Sequence, residues 1–276
     1  MKVHKSRSFP LVLGMMTAAL FTVNSALSDE VTIPTNSDVW DLELGAVGGF
    51  SPDYEGSDDY ELMGLPYVHA AWKDTIVLTT RDGGPGLYLQ HEIWDDFSVR
   101  GGVRYEFGRD ENDNDNDALE GLGDLDVGAV AVGALAYEYG PVEFSAELAS
   151  DLTGDREGTR ATLAADYRMM VLENKGRFSF GPSITWADDN YMENTFGISG
   201  AQAAASRNNY AVYNAESGIK DVGLNASFSY ALTENVSVLA TGGYSRLLGD
   251  AADSPIVDDE GSANQFSSML GLVYRW

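Results

Sequence analysis

Hydrophobic and polar residues alternate one for one along most of this chain, in segments separated by glycine-rich turns or acidic stretches. Residues 265–276 are the clearest case. Phe266, Ser268, Leu270, Leu272, Tyr274 and Trp276 fall on one face, and Gln265, Ser267, Met269, Gly271, Val273 and Arg275 on the other. Period-two alternation belongs to a strand whose two faces meet different surroundings. An amphipathic strand of this kind that ends in aromatic residues is typical of outer-membrane barrels, where Tyr274 and Trp276 serve as the signal read by the barrel assembly machinery.

Eleven further strands are expected upstream, over residues 40–50, 60–71, 75–80, 86–91, 97–109, 125–139, 142–151, 159–172, 178–186, 218–232 and 236–248. In the first, Trp40, Leu42, Leu44, Ala46 and Phe50 oppose Asp41, Glu43 and Gly45. In 60–71 the facing is ambiguous, because Leu62, Met63 and Leu65 do not alternate. Pro182 predicts a bulge, since proline cannot donate to a ladder. The connections run alternately long and short, as an up-and-down barrel with periplasmic termini requires. The strands are also longer than those of sandwiches and match a tilted crossing of a bilayer. The fold class is therefore all-β: a transmembrane, up-and-down antiparallel β-barrel of about twelve strands. The first strand should close against the last, so that the ring leaves no edge in lipid.

The N-terminus changes the picture of location. Lys2, His4, Lys5 and Arg7 precede an apolar run at 9–23 and the small residues around Ser28, which marks residues 1–28 as a secretory signal peptide cleaved after Ser28. A retained anchor fits less well, because Pro10 and Gly14 interrupt a run that is short for a span. Residues 29–39 form a periplasmic N-terminal segment and 40–276 the outer-membrane barrel. Cleavage removes three of the 17 basic residues and none of the 43 acids, taking the formal charge from -26 to -29. Such a surface repels nucleic acid. The chain has no cysteine, which excludes disulfides and a lipid-modified type of signal.

The candidate chemistry lies on the inward faces. Arg100, Arg104, Arg160 and Arg168 share the interior with Glu106, Glu143, Glu147 and Asp166, and with Glu43. A mixed-charge lumen is either a selective water-filled pore or a plug in which the charges pair. Residues 189–217, helix-prone at 200–206, are placed to cap or enter the bore, and the reading favours a narrow or occluded one. No catalytic residue, cofactor or metal is assigned. His69 and His91, the two histidines beyond the signal, are expected near the periplasmic end as satisfied lumen or rim residues, not as partners of an activated serine. The run 110–117 has the alternating oxygens of a calcium loop but lacks its glycine and closing glutamate, so it reads as a solvated external loop. Acidic loops beside lipopolysaccharide phosphates call for bridging cations or high salt.

Several stretches, in order along nearly the whole mature chain, resemble the MipA/OmpV family of outer-membrane proteins. They are 52–60 (PDYEGSDDY), 121–124 (GLGD), 181–192 (GPSITWADDNYM), 195–199 (TFGIS), 220–224 (KDVGL), 244–257 (YSRLLGDAADSPIV) and 261–266 (GSANQF). Trp276 stands where phenylalanine is more usual at such ends. The resemblance implies a non-enzymatic MltA-interacting scaffold in the cell outer membrane, bridging a lytic transglycosylase and a bifunctional murein synthase in peptidoglycan biogenesis. It equally admits the roles of relatives described as adhesins or porin-like proteins. The polar lumen supports the alternative of a narrow small-solute channel. Lipid and lipopolysaccharide of the outer membrane surround the barrel in either case.

Overall fold

The computed structural model describes residues 39–112, 117–153 and 158–276. The expected signal peptide, residues 29–38 of the periplasmic segment and the middle of the 110–117 run lie outside the described residues. Twelve strands form one closed antiparallel barrel. They are β1 (Trp40–Pro52), β2 (Tyr60–Trp72), β3 (Ile76–Thr79), β4 (Gly86–Trp94), β5 (Phe97–Glu106), β6 (Gly128–Tyr139), β7 (Val142–Asp151), β8 (Thr159–Val171), β9 (Gly176–Ala187), β10 (Gly218–Ala231), β11 (Val236–Leu247) and β12 (Asn264–Arg275). Each pairs with its sequence neighbour, and β1 closes on β12 from Glu43↔Arg275 to Phe50↔Ser268.

Alternation decides which side chains meet lipid. Trp40, Leu42, Leu44 and Phe50 are exposed outward while Glu43 is buried inside. The ambiguous strand resolves the same way: Leu62 stands 88% exposed on the outer face, and Met63 and Tyr67 are buried in the lumen. Short turns gather at one end, among them the left-handed pair Lys73 and Asp74. By the architecture of such barrels that end is periplasmic.

Four details differ from the sequence reading. The register between β8 and β9 is constant across Pro182, so no bulge forms there; the ladder merely skips Ala165 and Asp166. The bulge lies in β10 instead, where the pairing steps from Ile219↔Trp186 to Asp221↔Thr185 and leaves Lys220 as the extra residue. At the outer end β5 and β6 stop at Glu106 and Gly128, with only an isolated bridge, Arg109↔Leu125, beyond them. The fourth difference is β3, which covers only His69–Trp72 of β2. Lys73 donates to the Val39 carbonyl, and Thr80 to that of Val68, so odd residues of β2 bond toward β1 and even ones toward β3. The even positions Leu62 and Gly64 thus have no strand beside them on the β3 side among the described residues. Pro66, next along that edge, has no N–H to leave unpaired. The ring closes at β1–β12 as expected, yet part of an edge persists along β2.

The outer loops fold onto one another. The β9–β10 connection carries α1 (Asp189–Phe196) and α2 (Gly200–Ala205), and the β11–β12 loop carries α3 (Gly249–Ala252) and α4 (Pro255–Asp258), helices that the alternation pattern could not announce. Asp188 caps α1 by accepting from the Tyr191 amide, and Ser199 and Gln202 form a capping box on α2. Phe196, Met192, Leu247 and Val257 build one apolar core above the barrel. Tyr54, Leu119, Leu122, Ile198 and Ile256 build another. Together they make a cap over the extracellular end.

Candidate functional site

The bore is crossed by ion pairs from its periplasmic mouth to the cap. At the mouth, Arg275 Nε lies 3.0 Å from Asp41 Oδ1, and Arg168 reaches Glu138 at 3.0 Å and also pairs with Glu143. Higher up, Glu43 accepts from the Tyr67 hydroxyl at 2.8 Å and from Arg81 Nη2 at 2.6 Å. Arg100 Nη1 lies 3.0 Å from Asp82 Oδ2, and its guanidinium stands 4.4 Å from the Tyr88 ring centroid. Arg104, only 4% exposed, bonds Glu147 at 2.9 Å and approaches Glu106 at 3.6 Å, and Glu106 also pairs with Arg160. Asp166 is buried opposite Glu143 in the β7–β8 ladder. All eight lumen charges expected from the sequence therefore point inward, and the four arginines among them are paired.

The uppermost layer ties the barrel to its cap. Because of the bulge, both Lys220 and Asp221 turn inward, where alternation would have sent one of them into lipid. Lys220 pairs with Glu55 of the β1–β2 loop and lies 2.6 Å from Asp221 Oδ2. Tyr191 on α1 donates to the second oxygen of Glu55, and its ring lies under the Arg160 guanidinium at 4.8 Å. Burial pushes the Glu55 carboxyl up, but the Lys220 ammonium, the Tyr191 hydroxyl and Arg160 outweigh it and hold it below its ordinary value. Burial and the facing Glu55 carboxylate raise the Tyr191 phenol. In the cap, burial together with Asp250 and Asp253 pushes Tyr213 up to about 12. The Ser217 amide donates to Asp189 Oδ1 at 2.6 Å, joining the two ends of the insertion.

Glu55, Arg81, Asp82 and Tyr191 escaped the sequence reading because they sit on loops or in the insertion, where no alternation assigns a face. Lys220 escaped because the bulge breaks the alternation. Asp41 and Arg275, by contrast, carried a usable signal in their inward parity. His91 stands exposed on the same side as Leu87 and Leu89. His69 faces the lumen with Nε2 3.9 Å from Asp41 Oδ2, but its Nδ1 is buried without a partner, so this histidine is not fully satisfied. Below the Arg100–Glu147 pair, a cavity of about 320 Å³ reaches down to the periplasmic turns around Asp74 and Asp95.

A closed ring of twelve strands, all of them membrane-length except β3, greasy outside and charged within, with short turns at one end, defines an outer-membrane β-barrel. The chain belongs to the family described as MltA-interacting protein MipA, whose profile matches residues 44–276. YiaT of Escherichia coli K12, named as an outer membrane protein, is 30% identical over 173 residues, covering 60% of this chain and 65% of that protein. The chain thus spans just under two thirds of that relative, and the O157:H7 counterpart matches equally. Among solved structures, an outer membrane channel from Pseudomonas putida F1 superposes with a TM-score of 0.47 at 11% identity, covering 90% of this chain and 99% of the channel. OprB of Pseudomonas putida gives 0.42 at 9%, covering 87% and 94%. This protein resides in the outer membrane.

Proposed function

We propose that the protein acts as a closed barrel that holds cell-wall enzymes at the outer membrane, linking a lytic transglycosylase to a murein synthase through its periplasmic end. The observation that carries this reading is the obstructed bore: successive arginine–carboxylate pairs span it, and two apolar cores roof it. A barrel so filled is built to be held rigid, not to pass solute. The family description, an MltA-interacting protein, supports the same partner class. We read the barrel itself as non-enzymatic, with His69 turned toward a carboxylate and His91 on the outer wall. In the deciding experiment, detergent-solubilised barrel is immobilised and challenged with a purified lytic transglycosylase and a murein synthase. Both should be retained, and retention of neither sinks the scaffold.

A narrow solute channel is the second reading, favoured by the cavity at the periplasmic end. It requires the cap to swing away. Planar-bilayer recording separates the two, because the scaffold predicts no steady conductance from the intact protein and the channel predicts one.

A further inference from the structure

Along β2 the barrel wall presents a strand edge to lipid. β2 pairs with β1 over its whole length, from Trp40↔Trp72 to Pro52↔Tyr60, but with β3 only from His69 to Trp72. Above Thr79 the chain leaves the wall. Thr80 still bonds Val68 and Pro66, and Arg81 and Asp82 then turn into the lumen toward Glu43 and Arg100. The backbone groups of Leu62 and Gly64 point away from β1 and have no hydrogen bond on that side among the described residues. Hydrocarbon neither donates nor accepts, so this edge calls for the backbone of another chain. The side chains beside it leave room for one. Leu62 stands 88% exposed, and Gly64 has no atom within 4 Å of the place a Cβ would take. Exposed Ala46 and Gly48 of β1 lie level with Pro66 and Gly64, and small residues let membrane-embedded backbones approach closely.

We propose that two copies of this chain pair in the bilayer through this edge, β2 running antiparallel to β2 about a two-fold axis at Leu62. Backbone accounting sets the register. With Leu62 opposite its own copy, Tyr60 falls opposite the partner's Gly64, and the amides and carbonyls of Leu62 and Gly64 all find partners. An axis at Gly64 would instead set Leu62 against Pro66, which has no N–H for the Leu62 carbonyl, and Tyr60 against Val68, already taken by Thr80. A closed barrel has no edge to offer, so the occupant must bring a free strand at the same depth in the membrane. A second copy does so by symmetry. Detergent micelles let water reach the edge instead, so the pair belongs to the membrane and the solubilised protein is the monomer. The inference goes beyond the scaffold reading and leaves the periplasmic end of each barrel free, so retention of a murein enzyme is an independent readout.

The test is disulfide crosslinking in isolated outer membranes, for which a chain without cysteine is a clean background. Facing residues of a hydrogen-bonded antiparallel pair lie about 5.5 Å apart between Cα atoms, within disulfide reach. With copper phenanthroline as oxidant, Leu62→Cys should therefore convert largely to a band of twice the monomer mass. Gly64→Cys stands about 13 Å along the strand from its own copy and should stay mostly monomeric. So should Leu163→Cys, on the lipid face of β8. Adding Gly64→Pro to Leu62→Cys removes an N–H aimed at the partner and none that β1 uses, so the dimer yield should fall roughly fivefold or more while the gel shift between unheated and boiled samples persists. Should that variant fail to close, the single variants still decide. Monomer alone from Leu62→Cys overturns the pairing, as do equal yields from all three single variants, which report random collision. A crosslinked band of another mass gives the edge to a different protein and overturns it too, and so does an undiminished yield in a closed barrel carrying Gly64→Pro.

Discussion

The hydroxyl of Tyr191 donates to Oε2 of Glu55 across 2.8 Å, joining an insertion helix to a loop 136 residues earlier in the chain. Glu55 is held at its other oxygen by Lys220, a residue of the barrel wall. One buried carboxylate therefore fastens cap, first loop and wall together. Lys220 can serve only because a bulge turns it inward, so this fastening of the cap depends on one irregularity in β10.

Replacing Lys220 by Met should leave both Glu55 and Asp221 buried without their ammonium partner. Removing one member of a buried ion pair costs about 3–5 kcal/mol. The weaker change, Tyr191→Phe, loses one bond to a charged acceptor, about 1.5–3 kcal/mol. Cap opening is read by limited proteolysis of the 188–217 insertion, and the expected order of susceptibility is Lys220→Met above Tyr191→Phe above wild type. Equal resistance in all three would show that the apolar cores alone hold the cap.

The same latch has a defined acid dependence. Glu55 is held below its ordinary 4.5, so its contribution is fully present above the unfolded value and is lost as pH falls through the lower folded value. Protease resistance of the insertion should be flat from neutral pH to about 5 and should fall only below the ordinary carboxylate range. In Glu55→Gln that acid step should disappear. Loss of resistance in the wild type already near pH 6 would assign the latch to another group.

Much of this was legible in the alternation because a membrane barrel imposes it twice, through lipid outside and charge inside. Arg100, Arg104, Arg160 and Arg168 could be placed in the lumen from parity alone, and the β1–β12 closure followed from the ban on edges in lipid. Parity has no hold on loops, which is why Glu55, Arg81 and Tyr191 were missed. Nor does it see a bulge, since Lys220 and Asp221 differ from an ordinary in–out pair only in the register of their neighbours. Pro182 misled for a related reason: its missing donor suggested an extra residue, but the strand simply forgoes local pairing with β8 and continues. The shortness of β3 was legible, expected over 75–80 and found over Ile76–Thr79, but the stretch of β2 that it leaves without a neighbour was not.

The short β3 leads to a prediction of its own. Met63 and Leu65 have the parity that bonds toward β1, and Leu62 and Gly64 the parity that faces the unpaired side. In hydrogen–deuterium exchange on the detergent-solubilised protein, the Leu62 and Gly64 amides should exchange much faster than those of Met63 and Leu65. Uniform protection along Tyr60–Trp72 would mean that another segment covers the edge.

The β1–β12 seam depends on close backbone approach. A Cβ at Gly49 would collide with the Ser268 carbonyl oxygen, and one at Gly45 with that of Leu272. Neither obstacle is a flexible side-chain tip, so the strands themselves must part. Gly49→Ala should therefore destabilise by roughly 1–3 kcal/mol, the range for overpacking. The readout is the temperature at which the folded gel band converts to the unfolded one. An unchanged conversion temperature would indicate that the seam yields freely.

The last prediction concerns the end of that seam, where stability and assembly can be separated. The Trp276 amide donates to the Leu42 carbonyl at 3.1 Å, and its ring meets Tyr274 edge-on at 4.7 Å between centroids. The side chain is still 52% exposed, so it buries only about half of a large apolar group against the protein. Trp276→Ala keeps the backbone bond and should cost only about 1–1.5 kcal/mol in a folded barrel. Arg275→Ala behaves differently, because it strips Asp41 of its partner at 3.0 Å inside the lumen mouth and acts on stability directly. If the assembly machinery reads the terminal aromatics, Trp276→Ala should lower the amount of barrel in the outer membrane of cells severalfold yet refold in detergent almost like wild type. Arg275→Ala should do the reverse, reaching the membrane but melting earlier. Normal cellular levels of Trp276→Ala would leave Tyr274 and Trp276 as ordinary members of the periplasmic aromatic girdle.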